Sequence, residues 1–270
     1  MKMMKIKNEN KRGKYKIKMK RGQVTMFIIA GLLIIAIIAL FFFLRKDILP
    51  YTPKKVATDP ESFLDLCLEE NLTETLRIIS SQGGYVENKL NIIYDGEKVS
   101  YLCYNQNSYV RCISQEPLLI QHLKEEIHKS LESDVERCFD ELKKSLEKQN
   151  FEVSMESPEF EAELVSERVL LKIKNNIELK KAGETSNLKE FQIIKKSKFF
   201  DLALIVQEIL SQESWYCNFE QNGFMLLYPQ YDIEKFRTGD SSIVYTVTDK
   251  KTEEFFRFAI RGCAIPPGIG

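Results

Sequence analysis

Histidine is nearly missing from this chain: among 270 residues there are two, His122 and His128. On a helix, six residues turn through about 600°, which leaves the two rings about 120° apart. The H-E-x-x-H pattern of zinc proteases needs a spacing of four to bring both rings onto one face. Glu125 and Glu126 lie between the pair, and an acidic helix surface accounts for them as well as a metal site does. The sequence also lacks a C-x-x-C pair, a G-x-S-x-G elbow, a G-x-G-x-x-G fingerprint and a phosphate-binding loop. Gly83-Gly84 is the nearest approach to such a loop, but no Lys-Ser/Thr follows, and the pair ends a helix instead of opening one. Paired acids such as Glu161/Glu163 and Glu253/Glu254 are too common to single out one for acid–base work. No catalytic residue, metal ligand or cofactor is therefore assigned.

A second absence is more informative. Residues 22–44 contain no charged side chain. As a helix, residues 23–44 would extend about 33 Å, enough for a hydrocarbon layer of ~30 Å. A buried soluble helix is seldom apolar on all faces over such a length. The run is also too long for a secretory signal, and no small-residue cleavage site follows it. Residues 1–21 carry ten Lys/Arg and one acid, for a net of +9, while the remainder has a net of −9. A basic flank stays on the cytoplasmic side and can rest on anionic headgroups. The expected layout is a cytoplasmic tail (1–21), a transmembrane helix (22–44), a proline-bearing stalk (45–59) and an extracytoplasmic domain (60–270). The bilayer is the partner of residues 22–44; no nucleic-acid partner is expected for the basic tail.

All six cysteines, Cys67, Cys103, Cys112, Cys138, Cys217 and Cys263, follow the apolar run. An even number outside the cytoplasm favours disulfides, with fifteen pairings open. Cys103 and Cys112 flank the centre of "CYNQNSYVRC" symmetrically and make the best pair. Cys217, in "SWYCNF", has no adjacent base or cation to activate it as a nucleophile. Asn71-Leu72-Thr73 is an N-glycosylation triplet beside an apolar stripe. Tyr109, Tyr228 and Tyr231 fall near expected loops, where tyrosine can anchor a partner.

The fold class expected is α+β. Asp59-Pro60 caps a helix whose apolar face runs Phe63, Leu64, Cys67, Leu68, Leu72, Leu76, Ile79 and ends at Gly83-Gly84. Strands at 91–94 and 98–104 flank the turn "DGEK", and a second hairpin surrounds the Cys103/Cys112 loop. Residues 117–149 have the stripe of a long helix. From Phe151 the period becomes two, giving an antiparallel meander through 151–155, 160–164, 169–179 and 191–193. An apolar helix at 199–210 would cover the sheet, followed by strands at 224–228, 242–248 and 255–260.

With "RGQVTMFIIAG" at 21–31, Cys67-Leu68-Glu69-Glu70, Gln82-Gly83-Gly84-Tyr85 and "ERCFDEL" at 136–142 in view, the chain resembles a family of single-span envelope proteins of DPANN-type archaea. The resemblance implies location and layout and carries no activity. "KRGQVTMF" is also similar to archaeal class III-like prepilin segments, which implies peptidase cleavage between Gly22 and Gln23. Pilin-like families place a glutamate five residues into the mature helix; here that position is Phe27. Three functions remain open: an anchored envelope module binding a protein or surface polymer, a processed pilin-like subunit, and an extracytoplasmic enzyme without a recognisable motif.

Overall fold

The computed structural model describes residues 29, 31–34, 59–87 and 90–265. The chain divides into two units, residues 1–55 and 56–270. In the first, Ile29 and residues 31–34 are helical. No helix among the described residues is long and apolar enough to cross a membrane. The basic tail, Gly22, Gln23, most of the apolar run and nearly all of the stalk lie outside the described residues.

The second unit is an α+β domain that opens with α1 (Pro60–Ser81). Asp59 Oδ2 accepts from Ser62 N at 3.2 Å, and proline occupies the first turn, where a missing N–H costs nothing. Leu64, Leu68, Leu72, Leu76 and Ile79 form its buried stripe. At the other end Gly84 N donates to Ile79 O at 2.8 Å, the long bond of a Schellman cap. Gly83 has a φ of +76°, and a Cβ there would lie 3.1 Å from Ser100. Its conformation favours glycine, and a side chain there would press on the Ser100 backbone.

Helix α2 (Leu119–Lys148) buries Leu119, Leu123, Ile127, Leu131, Val135, Cys138, Phe139, Leu142 and Leu146. Three ties fix its register on α1: Cys67–Cys138, the Thr75–Ser130 hydroxyl pair, and His122 on Gly84 O. Residue numbers rise on one partner as they fall on the other, so α1 and α2 run antiparallel.

Two sheets share the core with these helices. In the four-stranded sheet, β6 (Arg168–Lys181) pairs along its length with β7 (Glu184–Lys196). The turn between them has positive φ at Ala182 and Gly183, the conformation that suits a tight hairpin. The opposite edge of β6 is shared end to end by β5 (Glu159–Val165) and β4 (Glu152–Met155). This corrects the simple meander: β4 does not pair with β5. Both strands oppose β6 in the same direction, so Glu156-Ser157-Pro158 is a straight-through connection instead of a reversal. A bulge in β6 between Lys174 and Ile177 lies at this junction, where buried Asn175 donates to Glu156 O at 2.8 Å.

The six-stranded sheet is mixed, where a wholly antiparallel domain would have no parallel pair. Its path is β1 (Asn91–Tyr94), β2 (Glu97–Tyr104), β10 (Phe255–Arg261), β9 (Ile243–Asp249) and β8 (Tyr231–Arg237), with β3 (Ile113–Ser114) also on β2. β2 and β10 are parallel, which needs a crossover; here it includes α2 and the whole four-stranded sheet. The sheet is strongly curled. β1 and β8 stand four strand spacings apart along the path, about 19 Å if flat, yet the Tyr94 and Phe236 rings are 5.2 Å apart. The β1 arm thus folds over the outer face and buries Val99, Tyr101, Val244 and Ala259 as a second small core.

Helix α3 (Phe199–Tyr216) touches strands of both sheets. It extends six residues past the end expected from its apolar run. Where a strand at 224–228 was expected, the chain forms α4 (Gln221–Leu227). Phe224 and Tyr228 are four apart and their rings are 4.7 Å apart, a helical spacing. The strand begins only after Pro229.

Candidate functional site

The three disulfides are Cys67–Cys138, Cys103–Cys112 and Cys217–Cys263, with Cα separations of 6.0, 5.3 and 6.0 Å. No free cysteine remains, so Cys217 holds a structural bond and offers no thiol. The first disulfide joins α1 to α2. The other two meet at one end of the six-stranded sheet. Val110 O accepts from Cys263 N at 2.6 Å and Ala264 O from Tyr109 N at 2.9 Å. A Cβ on Gly262 would come within 2.8 Å of Cys112, so glycine is what allows the two bridges to lie side by side.

This end presents large side chains to solvent. Trp215 is 64% exposed, Tyr216 78% and Tyr109 62%. Val110, Ile113 and Ile265 are exposed beside them, and the Arg111 guanidinium lies 5.9 Å over the Trp215 ring. Solvent-facing tryptophan, tyrosine and arginine are the residues that most often anchor protein partners. On the next element, α4 adds exposed Leu226 and Leu227.

The backbone here is unusual as well. Tyr109, Cys217, Ser241 and Cys263 all have positive φ, and Ser241 Oγ donates to Ile265 O at 3.1 Å. Cys217 is the left-handed C-cap of α3 and Ser241 lies in the turn between β8 and β9. The other five positive-φ residues, Asp95, Asn150, Glu167, Ala182 and Glu253, likewise sit at or beside turns or a helix end.

Behind this surface lies a buried polar group that no sequence pattern announced. Glu213, 3% exposed in α3, accepts from Tyr245 Oη and, at 3.3 Å, from Lys235 Nζ. Lys235 also donates to Asn218 Oδ1 at 3.1 Å and Phe219 O at 3.3 Å. Burial, then the Glu213 charge and hydrogen bond, push the Tyr245 phenol well above its ordinary value. The network explains why α3 continues past its apolar run: the polar turn is satisfied from below, and it carries Trp215 and Tyr216 outward.

The remaining sequence candidates are scattered. His122 engages Gly84 O through Nε2 at 2.8 Å, packs at a tilt against the Tyr85 ring, and has Glu116 3.7 Å from Nδ1. Glu116 in turn accepts from Tyr85 Oη. His128 instead packs edge-on against Phe160. Among the described residues no nucleophilic hydroxyl bonds either ring, and no group of acids, histidines and cysteines could hold a metal ion. Glu163 pairs with Lys172, while Glu254 accepts from Ser197 Oγ and Lys198 N at the start of α3. Asn71 is partly exposed, with its Nδ2 buried and without a hydrogen-bond partner. Tyr228 is half exposed and Tyr231 more covered; both are near α4 and away from Tyr109 in the sequence. No family model matches this chain, and neither a curated protein nor a solved structure matches it.

Proposed function

We propose that the chain is a single-pass, membrane-anchored envelope protein whose α+β domain lies outside the cytoplasm and recognises a protein partner. The uncharged run at 22–44 behind a tail of net +9 supports the anchor and its orientation. Three disulfides support an oxidising compartment for the domain. The observation that carries the recognition role is Trp215 and Tyr216, exposed beside Arg111 on a backbone pinned by two disulfides. A preorganised aromatic surface loses little entropy on binding.

A photo-crosslinking residue at Tyr216 in native membranes tests this reading. A discrete protein adduct that disappears in Trp215→Ser supports it. Adducts with lipid alone, or none, would replace it with a membrane-lying surface or an inert one. Protease added outside intact cells should remove residues 60–270; protection of that domain reverses the orientation.

A further inference from the structure

On another side of the domain, away from the disulfide-stapled end in the fold, α1, the β7–α3 junction and the β9–β10 turn enclose a cleft of about 360 Å³. Ligand pockets begin near this size, and at about 30 Å³ for each water-sized group it holds roughly a dozen non-hydrogen atoms. Leu76, Phe199 and Phe255 supply apolar walls. Ser80, 9% exposed, also lines the cleft. Its hydroxyl makes no hydrogen bond among the described residues, and it is not one of the polar atoms sealed off from solvent. A hydroxyl at the wall of an open cleft can exchange water for a hydrogen bond to a ligand's polar atom.

The charge around the cleft is uneven. Arg77 of α1 and Lys195 and Lys196 of β7 are its basic lining residues. Lys196 has no ion-pair partner among the described residues, and Lys195 makes only a 3.4 Å contact with Glu69. Arg77 gives Nε and Nη2 to Glu74 and keeps Nη1. Of the two acids that line the cleft, Glu254 uses its Oε2 on Ser197 and Lys198 N, where the N-terminus of α3 offsets its charge. Glu253 is exposed on the turn.

We infer that this cleft binds a small organic acid, an apolar body of about a dozen atoms bearing one carboxylate. The body rests on Leu76, Phe199 and Phe255, and the carboxylate pairs with Lys196 at the end of β7, with the Ser80 hydroxyl as a further donor. The site is independent of the aromatic end.

Titration calorimetry on the full chain in lipid nanodiscs, with empty discs subtracted, compares hexanoate, hexanol and hexylammonium. Hexanoate should bind about tenfold more tightly than hexanol, the scale of one charged hydrogen bond. Lys196→Gln, an exposed change that leaves the core alone, should weaken hexanoate about fivefold without affecting hexanol. Ser80→Ala should weaken it about threefold. Equal binding of acid and alcohol, preference for the amine, or hexanoate binding indifferent to Lys196→Gln would each overturn the inference. Trp215→Ser leaves hexanoate binding unchanged, which separates this site from the protein-recognition surface.

Discussion

The two sheets of the domain share a core but are built on different principles. The four-stranded sheet comes from one continuous stretch, β4 to β7. Its inner face is apolar, with Phe160 and Phe191 among the aliphatic side chains, and its outer face sets Glu against Lys across strands, as in Glu159 opposite Lys174 and Glu161 opposite Lys172. The six-stranded sheet is assembled from residues 91–114 and 231–261, includes a parallel pair, curls over itself, and needs two disulfides and a buried Glu–Lys–Tyr group. Local pairing forms without long loop closure, whereas the parallel β2–β10 contact must close a long one. The irregular sheet is also the one whose end exposes Trp215, Tyr216 and Tyr109. Regular alternation yields a solvated wall; irregular assembly yields a distinctive surface and needs staples to hold it.

Removing the disulfides tests how far that dependence goes. Loop-closure entropy grows with the span closed, so loss of Cys67–Cys138, 71 residues apart, should cost about 4 kcal/mol. Loss of Cys103–Cys112, 9 apart, should cost about 3 kcal/mol. Urea unfolding of the two Cys→Ser pairs measures both. The proposed recognition surface should respond in the opposite order: the α1–α2 bridge is remote from it, while the shorter bridge holds the Tyr109–Arg111 loop. Equal loss of recognition in the two variants would mean that the six-stranded end is not specially stapled.

Glu213→Ala probes the buried group. It leaves Tyr245 Oη without its acceptor and a largely covered Lys235 without its countercharge, and should cost about 3 kcal/mol. Lys235 keeps Asn218 and Phe219, which holds the cost toward the lower end. Because Glu213 sits two residues before Trp215, the same variant should also loosen the last turn of α3, read as a shift in Trp215 fluorescence.

The sequence showed the regular half well, for identifiable reasons. Asp59, Pro60 and Gly83 act within one turn of where they stand, and the α2 stripe and the period-two runs of β5, β6 and β7 report burial directly. Tertiary decisions were hidden. Nothing in "ESP" at 156–158 distinguishes a reversal from a straight connection. The Phe224–Tyr228 spacing was readable as helical, but apolar density there suggested a strand. Glu213 carries no local signal of burial, because its partners lie 22 and 32 residues away. Of the candidate surface, Tyr109 is readable as a loop tyrosine, whereas nothing in "SWYCNF" tells that Trp215 and Tyr216 face outward, because aromatic neighbours of a cysteine pack in a core as readily.

Alkali should separate the halves by a smaller margin. Burial raises the phenols of Tyr245 and Tyr101, both in the six-stranded sheet, and the four strands β4–β7 contain no tyrosine. A phenol whose folded value is raised gives its stabilisation in full below the unfolded value, about 10, and loses it as pH rises toward the folded value. Tyr245→Phe should therefore unfold at lower urea than the parent at pH 8, about 1 kcal/mol for the lost hydrogen bond. The gap should close as the pH passes about 10. A gap that widens instead would place the ionised phenol in a stabilising environment and contradict burial as the dominant cause.

The smallest effect belongs to the regular wall. Lys172 and Glu163 make a 2.5 Å ion pair with side chains 42% and 35% exposed, and solvent screens such pairs strongly. Lys172 also stands opposite Glu161 and beside Gln192 across the sheet, so its removal leaves the acids in water instead of stranding them in the interior. Lys172→Ala should leave the urea midpoint unchanged within error and leave Tyr216 crosslinking intact. If either readout falls, the Glu/Lys face is not a solvated wall but a covered one, and the division of labour between the two sheets is wrong.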